Sequence, residues 1–149
     1  MLNELLLSYQ RTLVVSSLDE VSGISILSDW HGGQYGGQQA KWRKAVSRFV
    51  FRSYAAGLID FIDPDIYEIK NIEQLSEKYE ILEVDENRES LVLWNAVLYS
   101  STKKLDGLVK KHGLNSWGYL DFGLNGCFMN EIFSIYRTVD PDVSDISGS

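Results

Sequence analysis

"AKWRKAVSRFVFRSYAAGLIDFID", residues 40 to 63, changes its hydrophobic period partway along. Trp42, Ala45, Val46, Phe49, Val50, Ser53 and Tyr54 recur at the three-and-four spacing that lines one face of a helix. Gly57 then stands where a left-handed residue ends a helix. Leu58, Ile59, Phe61 and Ile62 follow as a short apolar run closed by Asp63-Pro64, the pattern of a short buried strand.

Upstream, residues 2 to 14 read as a leucine-rich helix behind Asn3, and "SLDE" offers Ser17 and Glu20 as the capping box of a second helix. Downstream, "IYEI" (66 to 69) suggests a second short strand, and Asn71 caps a helix over 72 to 81. A stronger helix is expected from Asp85 through "LVLWNAVLY", whose apolar residues run nearly all round and would place it at the centre. "KKLDGLVKKH" forms another, with bases in its last turn and Gly113 beyond. "SWGYLDFGLNGC" (116 to 127) fits strand and loop alike, and Phe128, Ile132, Ile135 and Tyr136 return to helical spacing. The fold class is therefore mainly α, a single-domain, bundle-like fold with one or two short β-strands, the alternative being α+β. One domain is expected over 1–138, with 139–149 as a polar tail that frays.

With 149 residues, 44% of them apolar, the chain is long enough to hide roughly 68–70% of its unfolded surface without metal or disulfide. The single Cys127 cannot form an internal bridge, which points to a reducing, cytoplasmic setting. The start, "MLNELLLSYQR", carries Glu4 where an export signal carries positive charge, and no stretch reaches the ~20 apolar residues of a membrane span.

The glycine-rich "HGGQYGGQQAKW" (31 to 42) invites comparison with phosphate-binding loops, but it has neither the Gly-Lys-Ser/Thr register nor a G-x-G-x-x-G. It reads as a bend in which glycines supply positive φ. His31 and His112 each lack a Cys or carboxylate at metal-ligand spacing, and Cys127, between Gly126 and Phe128, reads as an inert core residue. No catalytic residue, metal or cofactor is assigned, and the chain is not expected to be an enzyme.

Charge is the informative property. The chain carries −7, yet residues 60 to 89 alone hold eleven acids against Lys70, Lys78 and Arg88, a local balance of −8. Residues 41 to 52 hold Lys41, Arg43, Lys44, Arg48 and Arg52 with no acid among them. Segregated charge steers partners more than it decides folds. The acidic segment is the expected partner-binding face, built from Asp60, Asp63, Asp65, Glu68, Glu73, Glu77 and Glu80, with Tyr67 and Tyr79 as desolvated anchors.

In its layout of "AKWRKAVSRFVFRSYAAGLIDFID" and "ESLVLWNAVLYSSTKKLDGLVKKHGL" (89 to 114), tryptophans set into helices of a small acidic chain, the sequence resembles the immunity proteins that bacteria make against their own polymorphic or contact-dependent toxins. The resemblance implies a stoichiometric, non-catalytic role, binding one toxin domain, frequently a basic nuclease, and covering or distorting its active site. Membrane, nucleic acid and small molecules are not expected as partners. Two alternatives remain: a nucleic-acid-binding regulator using the cationic helix 41–56, with Lys44, Arg48 and Arg52 in line, and a small enzyme using the glycine loop around His31.

Overall fold

The computed structural model describes residues 4–63, 71–121 and 123–147. Helices α1 (Glu4–Leu18), α2 (Gln39–Ala55), α3 (Ile72–Ile81), α4 (Arg88–Leu91), α5 (Lys103–Lys111), α6 (Gly126–Tyr136) and α7 (Ser144–Ser147) surround strands β1 (Val21–Ser22), β2 (Ile59–Phe61) and β3 (Leu98–Ser101). The fold is mainly α. The three strands make one antiparallel sheet in the order β1-β3-β2, with Val21 opposite Tyr99 and Ile59 opposite Ser101. Central β3 puts Tyr99 into the core and leaves β2 as an edge.

α2 and α3 form as their caps and stripes dictate. Trp42, Val46, Phe49, Val50 and Ser53 are buried along α2, and Gly57 ends it at φ 74°. The Asn71 side chain accepts from the Gln74 N–H at 2.8 Å and starts α3, whose Leu75 and Tyr79 face inward. The end of α2 is tied to the start of α5: the Thr102 hydroxyl donates to the Gly57 carbonyl (2.6 Å), and Lys104 Nζ donates to the Ala56 carbonyl (2.9 Å). Lys104 thus meets orphan carbonyls at a helix C-terminus, where a cation is favoured.

Three expectations change and one open segment is resolved. The "SLDE" box is unused, because the Ser17 hydroxyl donates back to the Val14 carbonyl (2.8 Å) and α1 continues through Leu18. The expected central helix from Asp85 is split. Asn87, not Asp85, caps α4 through a reciprocal box with Ser90; a π-helical turn (Val92–Ala96) follows, and "LYSS" leaves as β3. The segment left open between strand and loop contains a 3-10 turn, Trp117–Asp121, before Asn125 caps α6. Residues 139–147, expected as a polar tail outside the domain, pack against it: Val143 and Ile146 are buried in the core and Ser144–Ser147 form α7. The predicted "IYEI" strand lies outside the described residues.

The glycine loop is a tight bend. His31, Gly32 and Gly33 all take positive φ, and the Gly33, Tyr35 and Gly36 N–H groups bond to the carbonyls three residues back. Trp42 anchors the loop to the core: its indole N–H reaches the Ile26 and Leu27 carbonyls (3.0 and 3.1 Å), and its ring stacks on Trp94 at 5.0 Å. At Gly36 a Cβ would lie 1.8 Å from the His31 carbonyl oxygen, whereas at Gly37 it would meet nothing within 4 Å. Gly36→Ala is therefore expected to cost about 1–3 kcal/mol by overpacking. Gly37→Ala is expected to melt with the parent. Equal melting temperatures for the two variants would show that the bend is not closed in this way.

Candidate protein-interaction site

The described acids of residues 60 to 89 sit on or just after β2 (Asp60, Asp63), on α3 (Glu73, Glu77, Glu80), on the turn between α3 and α4 (Glu83, Asp85, Glu86) and on α4 (Glu89). Glu73, Glu77 and Glu80 are spaced four and three apart, so they share one face of α3, opposite the buried Leu75 and Tyr79. All three are exposed, as are Asp60, Asp63, Glu83, Asp85, Glu86 and Glu89. Asp60 accepts the neighbouring Phe61 N–H at 2.8 Å. Asp65, Tyr67 and Glu68 lie outside the described residues.

Tyr79 is not a surface anchor. It has no exposed area, its ring meets Trp94 edge-on at 4.9 Å, and its hydroxyl lies 2.5 Å from that of Tyr99. The reason is its register: Tyr79 falls four residues after Leu75, on the inner stripe of α3.

Among the described residues, no cation of α2 pairs with an acid of this face. Lys78 meets Glu89 at 2.8 Å, an exposed pair worth little. Arg43, buried near the start of α2, donates to the main-chain carbonyl of Glu80 (2.5 Å), capping the end of α3 and leaving the Glu80 carboxylate outside.

The arginines of α2 are answered from elsewhere. Arg52 is 2% exposed, and all five of its N–H donors are used: Nε to Asp140 (2.9 Å), one terminal nitrogen to the Tyr9 hydroxyl (3.0 Å) and Asp145 (2.9 Å), the other to Asp145 (2.6 Å) and the Asp142 carbonyl (3.1 Å). Burial alone pushes this guanidinium down, but the bonds from Asp145, the Tyr9 contact and Asp140 outweigh it and raise its pKa above the ordinary value. Arg48 lies 3.7 Å from Asp145. Of the three in-line cations, Arg52 is turned inward as a clamp for the 139–147 strap, while Lys44 and Arg48 remain exposed.

His31 and Tyr35 are both exposed, and the imidazole bonds to no carboxylate, hydroxyl or thiol among the described residues. Trp30, with His31 edge-on at 4.4 Å and Lys41 Nζ 5.7 Å above its ring, closes the loop against α2. Cys127 is exposed rather than in the core, at the solvent side of the first turn of α6. Near it, the Lys111 ammonium at 2.5 Å, followed by His112, holds Glu131 below the usual carboxylate range. Among the described residues no group of three or more His, Cys, Asp or Glu side chains could hold a metal ion, and no helix is long and apolar enough to cross a membrane.

Sequence reasoning missed the exposed apolar side chains of this region. Ile81, within the acidic segment, is 69% exposed, and Leu91, two residues past its end, is 48% exposed. A signal was available for Ile81, which stands off the inward stripe of Ile72, Leu75, Tyr79 and Leu82. The chain matches no protein-family model, no curated protein and no solved structure.

Proposed function

We propose that this protein is a bacterial immunity protein of the cytoplasm that binds one basic toxin domain, a nuclease being the natural candidate, through the acidic face and neutralises it without turnover. The observation that carries the reading is the array of exposed carboxylates on α3 and on the turn that follows it, none of which, among the described residues, is matched by a cation of α2. Such a field accelerates encounter with a basic surface and repels polyanions. A nuclease must present positive charge to its substrate, so an acidic face competes for the same groove.

The test uses the domain encoded immediately upstream, produced separately and mixed with this protein. A 1:1 complex is expected, together with rescue of cells that express the domain. Replacing Glu73, Glu77, Glu80 and Glu83 together by Gln should slow association about tenfold or more at low salt and flatten its salt dependence, with melting little changed. No complex, or an association rate that ignores both salt and the four substitutions, overturns the proposal.

A further inference from the structure

We infer that the 139–147 strap is exchangeable: the seat it fills takes the same segment from a second copy of this chain, giving a dimer in which two straps trade places. The inference is independent of the acidic face and of what binds there.

The strap is folded on itself. The Asp142 N–H donates to the Asp140 carboxylate (3.1 Å), the Ser144 N–H and hydroxyl donate to the Asp142 carboxylate (3.1 and 2.7 Å), and the Ile146 N–H donates to the Val143 carbonyl (3.1 Å). Turns closed by aspartate side chains satisfy the backbone locally, so the segment keeps its shape when it moves. What it offers the body is a short pattern of side chains. The carboxylates at 140 and 145 grip Arg52, and the aliphatic groups at 143 and 146 are buried. The turn from which it swings follows α6, where the Thr138, Val139 and Asp140 N–H groups bond to the carbonyls of Ile135 and Tyr136 (3.1, 3.0 and 2.8 Å).

The floor of the seat is held by contacts to which the strap contributes nothing. Tyr9, whose hydroxyl accepts from Arg52, lies edge-on to Phe49 at 5.0 Å and to Tyr136 at 6.0 Å, and the Tyr136 hydroxyl bonds to that of Ser53 at 2.8 Å. α1, α2 and α6 thus keep the site in shape when the strap swings out. A vacated seat leaves Arg52 facing the Tyr9 hydroxyl without a carboxylate, an unfavourable state for a guanidinium packed among aromatic rings. The segment known to fit is the one that every copy carries. Reciprocal exchange fills both seats and closes the pair on a two-fold axis. Closed and exchanged forms bury the same groups, so concentration rather than contact strength sets the balance between them.

Two full-length variants separate the halves of the contact. Asp140→Asn/Asp145→Asn keeps the seat and spoils the strap, whereas Arg52→Met keeps the strap and spoils the seat with an apolar side chain. Mixed at high concentration, they are expected to form a 1:1 heterodimer, about tenfold or more abundant by native mass spectrometry than any dimer of either variant alone. Only monomers in the mixture overturn the inference. So does a dimer equally abundant in each variant alone, since it would form through another surface. A peptide of residues 138–147 reads the same step without a seat variant, should Arg52→Met fail to fold. At millimolar concentration it should raise the melting temperature of Asp140→Asn/Asp145→Asn by a few degrees, and the same peptide carrying both Asn residues should not. No rise overturns the inference. A rise with peptide beside a mixture that stays monomeric assigns the seat to a free acidic segment rather than to a second copy, and likewise overturns it.

Discussion

Raising the pH above about 10 is expected to unfold the protein in one steep, cooperative step. Burial is the leading cause that pushes the phenols of Tyr9, Tyr99 and Tyr136 above their ordinary value; none has more than 1% of its surface exposed. Below pH 10 these groups are protonated in both folded and unfolded chains and leave stability independent of pH. Above it the unfolded chain releases three protons that the folded chain retains, so the folded state binds more protons and stability falls as pH rises. Each proton contributes about 1.4 kcal/mol per pH unit, and three together about 4. Against a total stability of about 5–15 kcal/mol, the transition should fall between roughly pH 11 and 14. Circular dichroism and tyrosinate absorbance should change together. Tyr136→Phe, which also gives up the 2.8 Å bond to Ser53, should reduce the slope by about a third. Smooth ionisation of all eight tyrosines near pH 10 with the helical spectrum unchanged would contradict the buried network.

Arg52→Ala is expected to be the most damaging single substitution among the charged residues. It leaves Asp140 and Asp145 facing one another, removes the partner of the Tyr9 hydroxyl and opens a void where a guanidinium was packed. Breaking a buried pair from one side costs about 3–5 kcal/mol. At 2–4 °C per kcal/mol for a chain of this size, the melting temperature should fall by roughly 10 °C. Arg52→Lys should recover little, since one ammonium cannot reach acceptors arranged for a planar fork. Asp145→Asn keeps the shape, strips charge from two of the bonds and should cost about 2 kcal/mol. In each variant the 139–147 strap should become the preferred site of limited proteolysis. Melting within 2 °C of the parent, with the strap still protected, would mean that the clamp contributes nothing.

Legibility in the sequence followed the range of the interactions. α3 could be read from Asn71 and a clean inward stripe, and the turn from α2 into β2 from Gly57, because cap, period and breaker all act within a few residues. "LVLWNAVLY" could not, since an apolar run lacks a period and only pairing with β1 and β2 turns its second half into a strand. "PDVSDISG" hides two core residues, Val143 and Ile146, inside a polar composition, and its docking is set by an arginine on α2. The site divides in the same way. Exposure of the acids on α3 was evident from their spacing, while the inward turn of Tyr79 was readable from its register and was passed over.

The clamp also orders events in time. Arg52 and its carboxylate partners stand 88 and 93 positions apart in sequence, and closing so long a ring has an entropic cost met only once the intervening helices and sheet have shortened the path. Until then the guanidinium remains hydrated on a half-built molecule, which places docking of the strap late in folding. Substitutions at Asp140 or Asp145 should accordingly hasten unfolding while leaving the refolding rate almost untouched, making this junction a determinant of how long each native molecule persists.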